Sequence, residues 1–204
     1  MSVPARRLIF PEREDAGSWP APGQWTYADY CKLPDDGRRY EVIRGFLYVS
    51  PAPSLPHQRA LGQIFRQLDR FVLAEGLGEV LVAPVDVLLP REIAAPVQPD
   101  LMFFRTGNQP GAEAMNFKGV PDLVVEILSP STRRLDRSIK LAAYRDAGVP
   151  EFWLADPRSS TLSIFGFGED GTSYVELSRG GVGEAIVSRV LPGLRIEVAE
   201  IFPR

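Results

Sequence analysis

The sequence predicts an α/β fold, a mixed central β-sheet flanked by helices with an added β-hairpin region, from three observations. Residues Pro121-Asp122-Leu123-Val124-Val125-Glu126-Ile127-Leu128 form a nearly continuous apolar run that suits a strand covered on both faces. Ser129-Pro130-Ser131-Thr132 then breaks that strand and offers hydroxyls to start a helix. Upstream, Leu61, Ile64, Phe65, Leu68, Phe71 and Val72 recur at helical spacing, so a helix is expected over 57–75 with Gly76 as its stop.

The other elements follow in order. Residues 1–24 contain Pro4, Pro11, Pro20 and Pro22 and read as an extended or disordered arm; 25–204 read as a single domain. Thr26 caps a short helix to Leu33, and Pro34-Asp35-Asp36-Gly37 is a turn. Tyr40–Ile43 and Phe46–Val49 form a hairpin about Arg44-Gly45. Glu79–Val82 and Val85–Leu89 are strands, with Pro84 marking a bulge or an edge. Gln98–Phe104 is a strand entered through Pro99, and Thr106–Gly119 is a loop long enough to act as a flap. After strand 121–128 a helix runs from about Ser131 to Ala147, stopped by Gly148 and Pro150. Glu151–Leu154 is a short strand. Thr161–Phe167 and Ser173–Leu177 form an outer hairpin, and 185–198 supply one or two final strands broken at Pro192-Gly193.

Composition narrows the chemistry. With 204 residues, 45% of them hydrophobic, the chain suits one sizeable globular domain. No apolar run approaches the roughly 18 residues of a spanning helix, and no secretory leader is evident, so a cytoplasmic protein is expected. One cysteine, Cys31, excludes an internal disulfide and reads as a small buried or half-buried residue. One histidine, His57, leaves no Cys/His zinc constellation, so any metal would take oxygen ligands. The net charge of −3 gives no global field for nucleic acid, so a basic surface must be local. A serine or cysteine hydrolase is disfavoured, because His57 is the only histidine base and no Gly-x-Ser-x-Gly elbow occurs.

Glu126 interrupts the most apolar strand of the chain, and a buried carboxylate needs a cation or hydrogen-bond donors. Asp100, at the start of the strand before it, is the expected partner if the two strands pair. Asp122 lies four residues from Glu126, roughly 13 Å along the strand. That is too far to share a metal held at ~2.1 Å, so Asp122 reads as a turn-closing residue. Arg133, Arg134, Arg137, Lys140 and Arg145 place five cations on the next helix, with Leu135, Ile139 and Ala142 as its apolar face. Lys140 is one residue from that face, and its stem can reach under the helix toward Glu126.

The order Pro99-Asp100, Glu126-Ile127-Leu128 and a helical Lys140 resembles a PD-(D/E)XK nuclease site with a restriction-endonuclease-like core. In the common arrangement the lysine follows the glutamate by two residues; here that position is Leu128. The chain is most similar to the bacterial restriction endonuclease family called Uma-two. The similarity rests on Tyr40-Glu41-Val42-Ile43-Arg44-Gly45, Pro53 through His57, Gln98-Pro99-Asp100, Pro121 through Thr132, Asp136, Lys140, Tyr144, Gly148 through Trp153 and Asp156-Pro157, spanning about residues 25–165. The resemblance implies an endonuclease that hydrolyses DNA. Mg, or Mn, would be held by Asp100, Glu126 and the Ile127 backbone carbonyl. Lys140 would activate water or stabilise charge on the phosphate. Glu41 would be an additional acid and His57 a contact to phosphate or acid. A homodimer is implied, joined through the outer strands or the arm.

Other readings of these residues stay open at this level. Glu126 can pair with Arg133 or Arg134, Asp100 can close a turn, Lys140 can be a solvated helix residue, Glu41 can pair with a hairpin arginine, and His57 can be a helix-start hydrogen bonder. The alternative function is a catalytically silent nucleic-acid-binding or assembly module on the nuclease fold.

Overall fold

The strand that predicted the fold sits inside a six-stranded sheet, covered on both faces. The structure, a computed structural model, describes residues 19–130, 133 and 135–202. Most of the proline-rich arm, and the hydroxyls of Ser131 and Thr132, lie outside the described residues.

A capped turn of helix, α1 (Tyr27–Tyr30), precedes the hairpin β1 (Arg39–Ile43) and β2 (Phe46–Ser50). The long helix α2 (Leu55–Glu75) follows, then β3 (Gly78–Val82), β4 (Asp86–Leu89), β5 (Ala94–Val97), β6 (Leu101–Arg105), β7 (Asn116–Lys118) and β8 (Leu123–Ile127). A π-helical turn, Leu135–Lys140, runs into α3 (Leu141–Ala147). The chain ends through β9 (Glu151–Asp156), β10 (Thr161–Phe167), β11 (Tyr174–Gly180), β12 (Ala185–Val187), β13 (Arg195–Glu197) and the short α4 (Val198–Ile201).

The central sheet has the order β11-β10-β9-β8-β6-β3, with β8 and β9 parallel and the other neighbours antiparallel. A second sheet has the order β2-β1-β5-β4-β7. Strand alternation sends Leu101, Phe103, Val125, Ile127 and Trp153 to one face, where they meet Ile64, Leu68 and Val72 of α2 and the C-terminal Ile196 and Val198. Met102, Phe104, Val124, Leu128 and Phe152 go to the other, against the second sheet and Ala143, Tyr144 and Ala147 of α3. Glu126 belongs to that second face, so its carboxylate points into the layer between the two sheets. Among the described residues no helix is long and apolar enough to cross a membrane.

Local chemistry fixes the ends of the elements. Thr26 caps α1 in a reciprocal capping box with Asp29. Ser54 caps α2 by accepting from the His57 amide, Pro56 occupies its first turn, and Gly76 closes it in the left-handed conformation at φ 62°. Gly45 turns the β1–β2 hairpin at φ 74°; a Cβ there would stand 2.3 Å from the Gly23 carbonyl oxygen, so a side chain is excluded by space as well as by torsion.

Several expectations are corrected. The strands on either side of Pro84 are neighbours in sequence only: β3 edges the central sheet and β4 lies in the second. The strand expected over 98–104 begins at Leu101, because Gln98-Pro99-Asp100 is the crossing from β5 to β6. β5 itself was not foreseen; Ala94-Ala95-Pro96 lacks the β-branched residues that signal a strand, and tertiary pairing with β1 and β4 holds it. The expected flap ends in a strand, β7, parallel to β4. Cys31 is exposed, since α1 packs on the domain by only part of its short surface.

Glu151 explains how the C-terminal segment is held. It is fully buried and accepts hydrogen bonds from Trp153 Nε1 at 2.6 Å, Ser188 Oγ at 2.7 Å and the Arg189 and Val190 amides at 2.7 and 3.2 Å. A Glu151→Ala variant leaves these donors unpaired and should lose about 3 kcal/mol or more of unfolding free energy in urea titration. A loss below about 1 kcal/mol would show that water replaces the carboxylate without cost.

Candidate active site

Pairing of β6 with β8 brings the two predicted carboxylates together. Leu101 faces Val125 and Met102 faces Val124 across an antiparallel ladder. Continuing the register by one residue sets Asp100 opposite Glu126, on the same face of the sheet. Both are buried, at 3% and 2% exposure. Asp100 Oδ1 accepts from Arg39 Nη1 at 2.8 Å. Its Oδ2 accepts from the Ile127 amide at 2.8 Å and lies 3.1 Å from His57 Nε2. In a strand the amide and carbonyl of one residue point to the same edge, so the Ile127 carbonyl is directed toward the Asp100 side as well.

Glu126 Oε1 accepts from Lys140 Nζ at 2.9 Å and from the Tyr144 hydroxyl at 2.6 Å. The same ammonium lies 2.9 Å from Glu41 Oε1 and 3.8 Å from Asp136 Oδ1. Glu41 also accepts from the Gln98 amide at 2.8 Å. Thus the structure brings together all five sequence-expected residues, Asp100, Glu126, Lys140, Glu41 and His57, beside the Ile127 backbone.

The π-helical turn accounts for the position of Lys140. The expected regular helix would bury Leu135, Ile139 and Ala142. The wider turn instead places Asp136 and Lys140 among the buried residues, while Leu135 and Ile139 are half-buried. Tyr144 continues the inward line one turn later. Leu128, where a strand-borne lysine would stand, is buried in the apolar cluster with Ala143 and Tyr144. Arg39 and Glu41 alternate on β1 and so share one strand face. The Ser54 cap fixes the start of α2 and with it His57.

Charges in this layer are strongly coupled. Burial raises the Asp100 carboxyl, but the His57 hydrogen bond and the Arg39 charge outweigh it and hold Asp100 well below the usual carboxylate range. Glu126 goes the other way. Burial pushes it up, the Lys140 ammonium pulls down, and the neighbouring Asp100, Asp136 and Glu41 leave it well above the ordinary value. Lys140 loses hydration by burial, yet Glu126 and Glu41 keep it protonated above the ordinary lysine range. Burial first, and then the acids that share one ammonium with it, make Glu126 resist ionisation.

Three further participants were not assigned to the site from the sequence, although Asp136 and Tyr144 are among the residues that carry the family resemblance. Arg39 stands two residues before Glu41, Asp136 four before Lys140 and Tyr144 four after it; those spacings were the available signal. Arg39 Nε and Nη2, Glu41 Oε2 and His57 Nδ1 are buried without a hydrogen-bond partner. A cavity of about 30 Å³ is lined by Arg39, His57, Asp100, Glu126, Ile127 and Lys140. Arg39, His57 and Asp100 also line a cleft of about 630 Å³ on the surface. Among the described residues, no three His, Cys, Asp or Glu side chains form a group able to hold a metal ion.

The expected basic patch after Glu126 is not free. Arg133 and Arg137 pair with Asp156 at 2.8 and 3.3 Å, Arg145 with Asp146 at 2.7 Å, and Lys140 is buried; Arg134 lies outside the described residues. The expected alternative pairing of Glu126 with Arg133 is thereby replaced. Asp122 does close a turn: it accepts from the Arg105 amide at 3.0 Å and from Asn108 Nδ2 at 2.8 Å.

Comparison with solved structures matches this architecture to a nuclease-type fold. A protein from Anabaena variabilis described as a "putative nuclease" superposes with a TM-score of 0.72 over 87% of this chain and 97% of its own, at 19% identity. The sequence profile of the Uma2 family, described as "Putative restriction endonuclease", matches residues 27–199, and the chain belongs to that family. No curated protein matches it in sequence.

The Glu126 shift has a stability signature. Its folded-state pKa lies above the ordinary 4.5, so the folded protein holds that proton longer than the unfolded chain. The contribution is present below pH 4.5 and is lost as pH rises toward the folded value. Glu126→Gln cannot lose it. Denaturation midpoints of this variant should therefore rise relative to the parent as pH increases above about 4.5; a pH-independent difference would contradict the assignment.

Proposed function

We propose that the protein is a metal-dependent nuclease that hydrolyses phosphodiester bonds in DNA. The observation that carries this reading is the convergence of Asp100, Glu126 and Lys140 in a buried layer beside a surface cleft. Family membership supports the reaction class.

The donor set suits a hard cation. Asp100, Glu126 and the Ile127 carbonyl are oxygen ligands of the kind Mg and Mn take, with water filling the remaining positions. Four acids, Glu41, Asp100, Glu126 and Asp136, face two cations, Arg39 and Lys140, so a divalent ion balances the layer, and Glu41 Oε2 is an acceptor without a donor. When bound, such an ion supplies electrostatic stabilisation of the phosphate and lowers the pKa of attached water.

The chain's own groups have distinct tasks. Arg39, His57 and the Ile127 amide fix the Asp100 carboxylate, while Lys140 and Tyr144 fix Glu126. Lys140 places a positive charge where negative charge grows on the phosphate, in a layer from which water is largely excluded. Arg39 lines both the small cavity and the cleft, and its Nε and Nη2 are donors for a phosphate oxygen entering between them.

A second reading, a silent module that binds nucleic acid, is favoured by the partners already held by both Asp100 oxygens and by Lys140 Nζ. Plasmid cleavage in Mg or Mn separates the two. Asp100→Asn, Glu126→Gln and Lys140→Met should each lower the rate by about 100-fold or more, with the fold verified by circular dichroism. Arg39→Gln should raise KM more than it lowers kcat. Equal background cleavage by the parent and all four variants leaves only the silent module.

A further inference from the structure

We propose that the exposed face of α2 is a second binding surface, a track along which the phosphodiester backbone of DNA runs into the cleft beside Asp100. The inference rests on the nuclease reading above and extends it to where the rest of the substrate lies.

The first observation is charge without partners. On the helix after Glu126, Arg133, Arg137 and Arg145 are paired with carboxylates and Lys140 is buried, while Arg134 lies outside the described residues. On α2, Arg59, Arg66 and Arg70 are exposed, and none has a carboxylate partner among the described residues. At about 100° per residue these three fall within roughly 40° of one another around the helix and span about 16 Å along it. Asp69 is the only acid between Leu55 and Arg70, and it is half-buried off that stripe. A row of arginines with no acid among them sets up a local positive potential that attracts an anion.

The second observation is shape. A groove of about 270 Å³ runs along the same face, lined by Leu55, Gln58, Arg59, Gly62, Gln63 and Arg66. Gly62 lies inside the helix, where glycine is unfavourable relative to alanine. Packing does not require it: an added Cβ would meet nothing nearer than the Arg66 guanidinium at 3.8 Å. What the missing side chain provides is depth in the groove between the two arginines. Gln58 lines both this groove and the larger cleft, so the two adjoin across one side chain. One residue earlier, His57 touches Asp100.

A duplex carries one negative charge per ~1.7 Å of axis, so 16 Å of arginine ridge faces enough phosphates to engage all three side chains. Arg59 and Arg66 flank the groove, and Arg70 extends the contact away from the reaction centre. These contacts read no bases; they position the strand.

The test uses the full chain and a fluorescent 30-base-pair duplex, with binding read by anisotropy from 50 to 200 mM NaCl. Arg59→Ala/Arg66→Ala/Arg70→Ala should bind at least tenfold more weakly. Its plot of log affinity against log salt should be shallower by about 0.9 for each lost phosphate contact. Hydrolysis of bis(p-nitrophenyl) phosphate, a diester too small to reach α2, should be unchanged, as should the unfolding midpoint. Gly62→Leu, which fills the groove and keeps every charge, should also weaken binding. Parental affinity and salt slope in the triple variant overturn the track while parental DNA cleavage leaves the nuclease reading standing. A parent that binds but cleaves neither substrate defeats the nuclease reading, and a parent that binds no DNA defeats both.

Discussion

One buried ammonium joins three parts of this fold. Lys140 Nζ reaches Glu41 on β1 of the second sheet and Glu126 on β8 of the central sheet, from the turn that begins α3. Each glutamate alone would be an unpaired charge in an apolar layer, at a cost of several kcal/mol per ion. Sharing one cation makes the two sheets and the helix mutually dependent. Burying two acids against one base is not the most stable solution available, since a matched apolar trio would avoid the desolvation. The imbalance is instead what leaves acceptor capacity at the site, visible in the unpartnered Glu41 Oε2 and in the reluctance of Glu126 to ionise.

The surroundings keep that imbalance local. Asp100 is held by three donors from three elements, Arg39 of β1, His57 of α2 and the Ile127 amide of β8, which leaves lone-pair capacity on its carboxylate. Its carboxylate therefore stays charged while Glu126, one strand away, is driven toward its neutral form. Two carboxylates set facing each other by one ladder are held in different protonation regimes by their neighbours, an arrangement associated with acid–base and metal-assisted chemistry. Outside this layer the charges are conventional, with Arg133 and Arg137 on Asp156 tying the approach to α3 to the end of β9.

Much of this was legible in the chain because strands and caps write their geometry locally. α2 begins at Leu55 rather than at the expected His57, but the carboxylate inside Val124–Leu128, the Thr26 cap and the Gly76 stop all read correctly. So did the facing of Asp100 and Glu126, since two adjacent apolar strands with acids near their ends leave few registers. β5 was hidden because its pairing partners, not its residues, make it a strand. Arg39 was hidden because an arginine beside a turn is usually solvated, and only the crossing of β1 beneath Asp100 buries it. The inward line Asp136, Lys140 and Tyr144 was present as a spacing of four. On the regular helix assumed there Lys140 lies one residue off the apolar face, whereas the π turn buries both it and Asp136.

That turn has a consequence for how the chain can vary. A lysine on the same strand as its glutamate keeps its aim whatever happens to the loops. Here the aim of Lys140 depends on how many residues separate it from Glu126. One residue gained or lost inside the helical stretch that leads to Lys140 would turn it by roughly 100° and carry the ammonium out of the layer. The helical stretch Leu135–Lys140 is therefore constrained in length as well as in sequence. The outer hairpin and the 106–115 loop tolerate a change of length better than the approach to Lys140 does, because no side chain of this layer hangs from them.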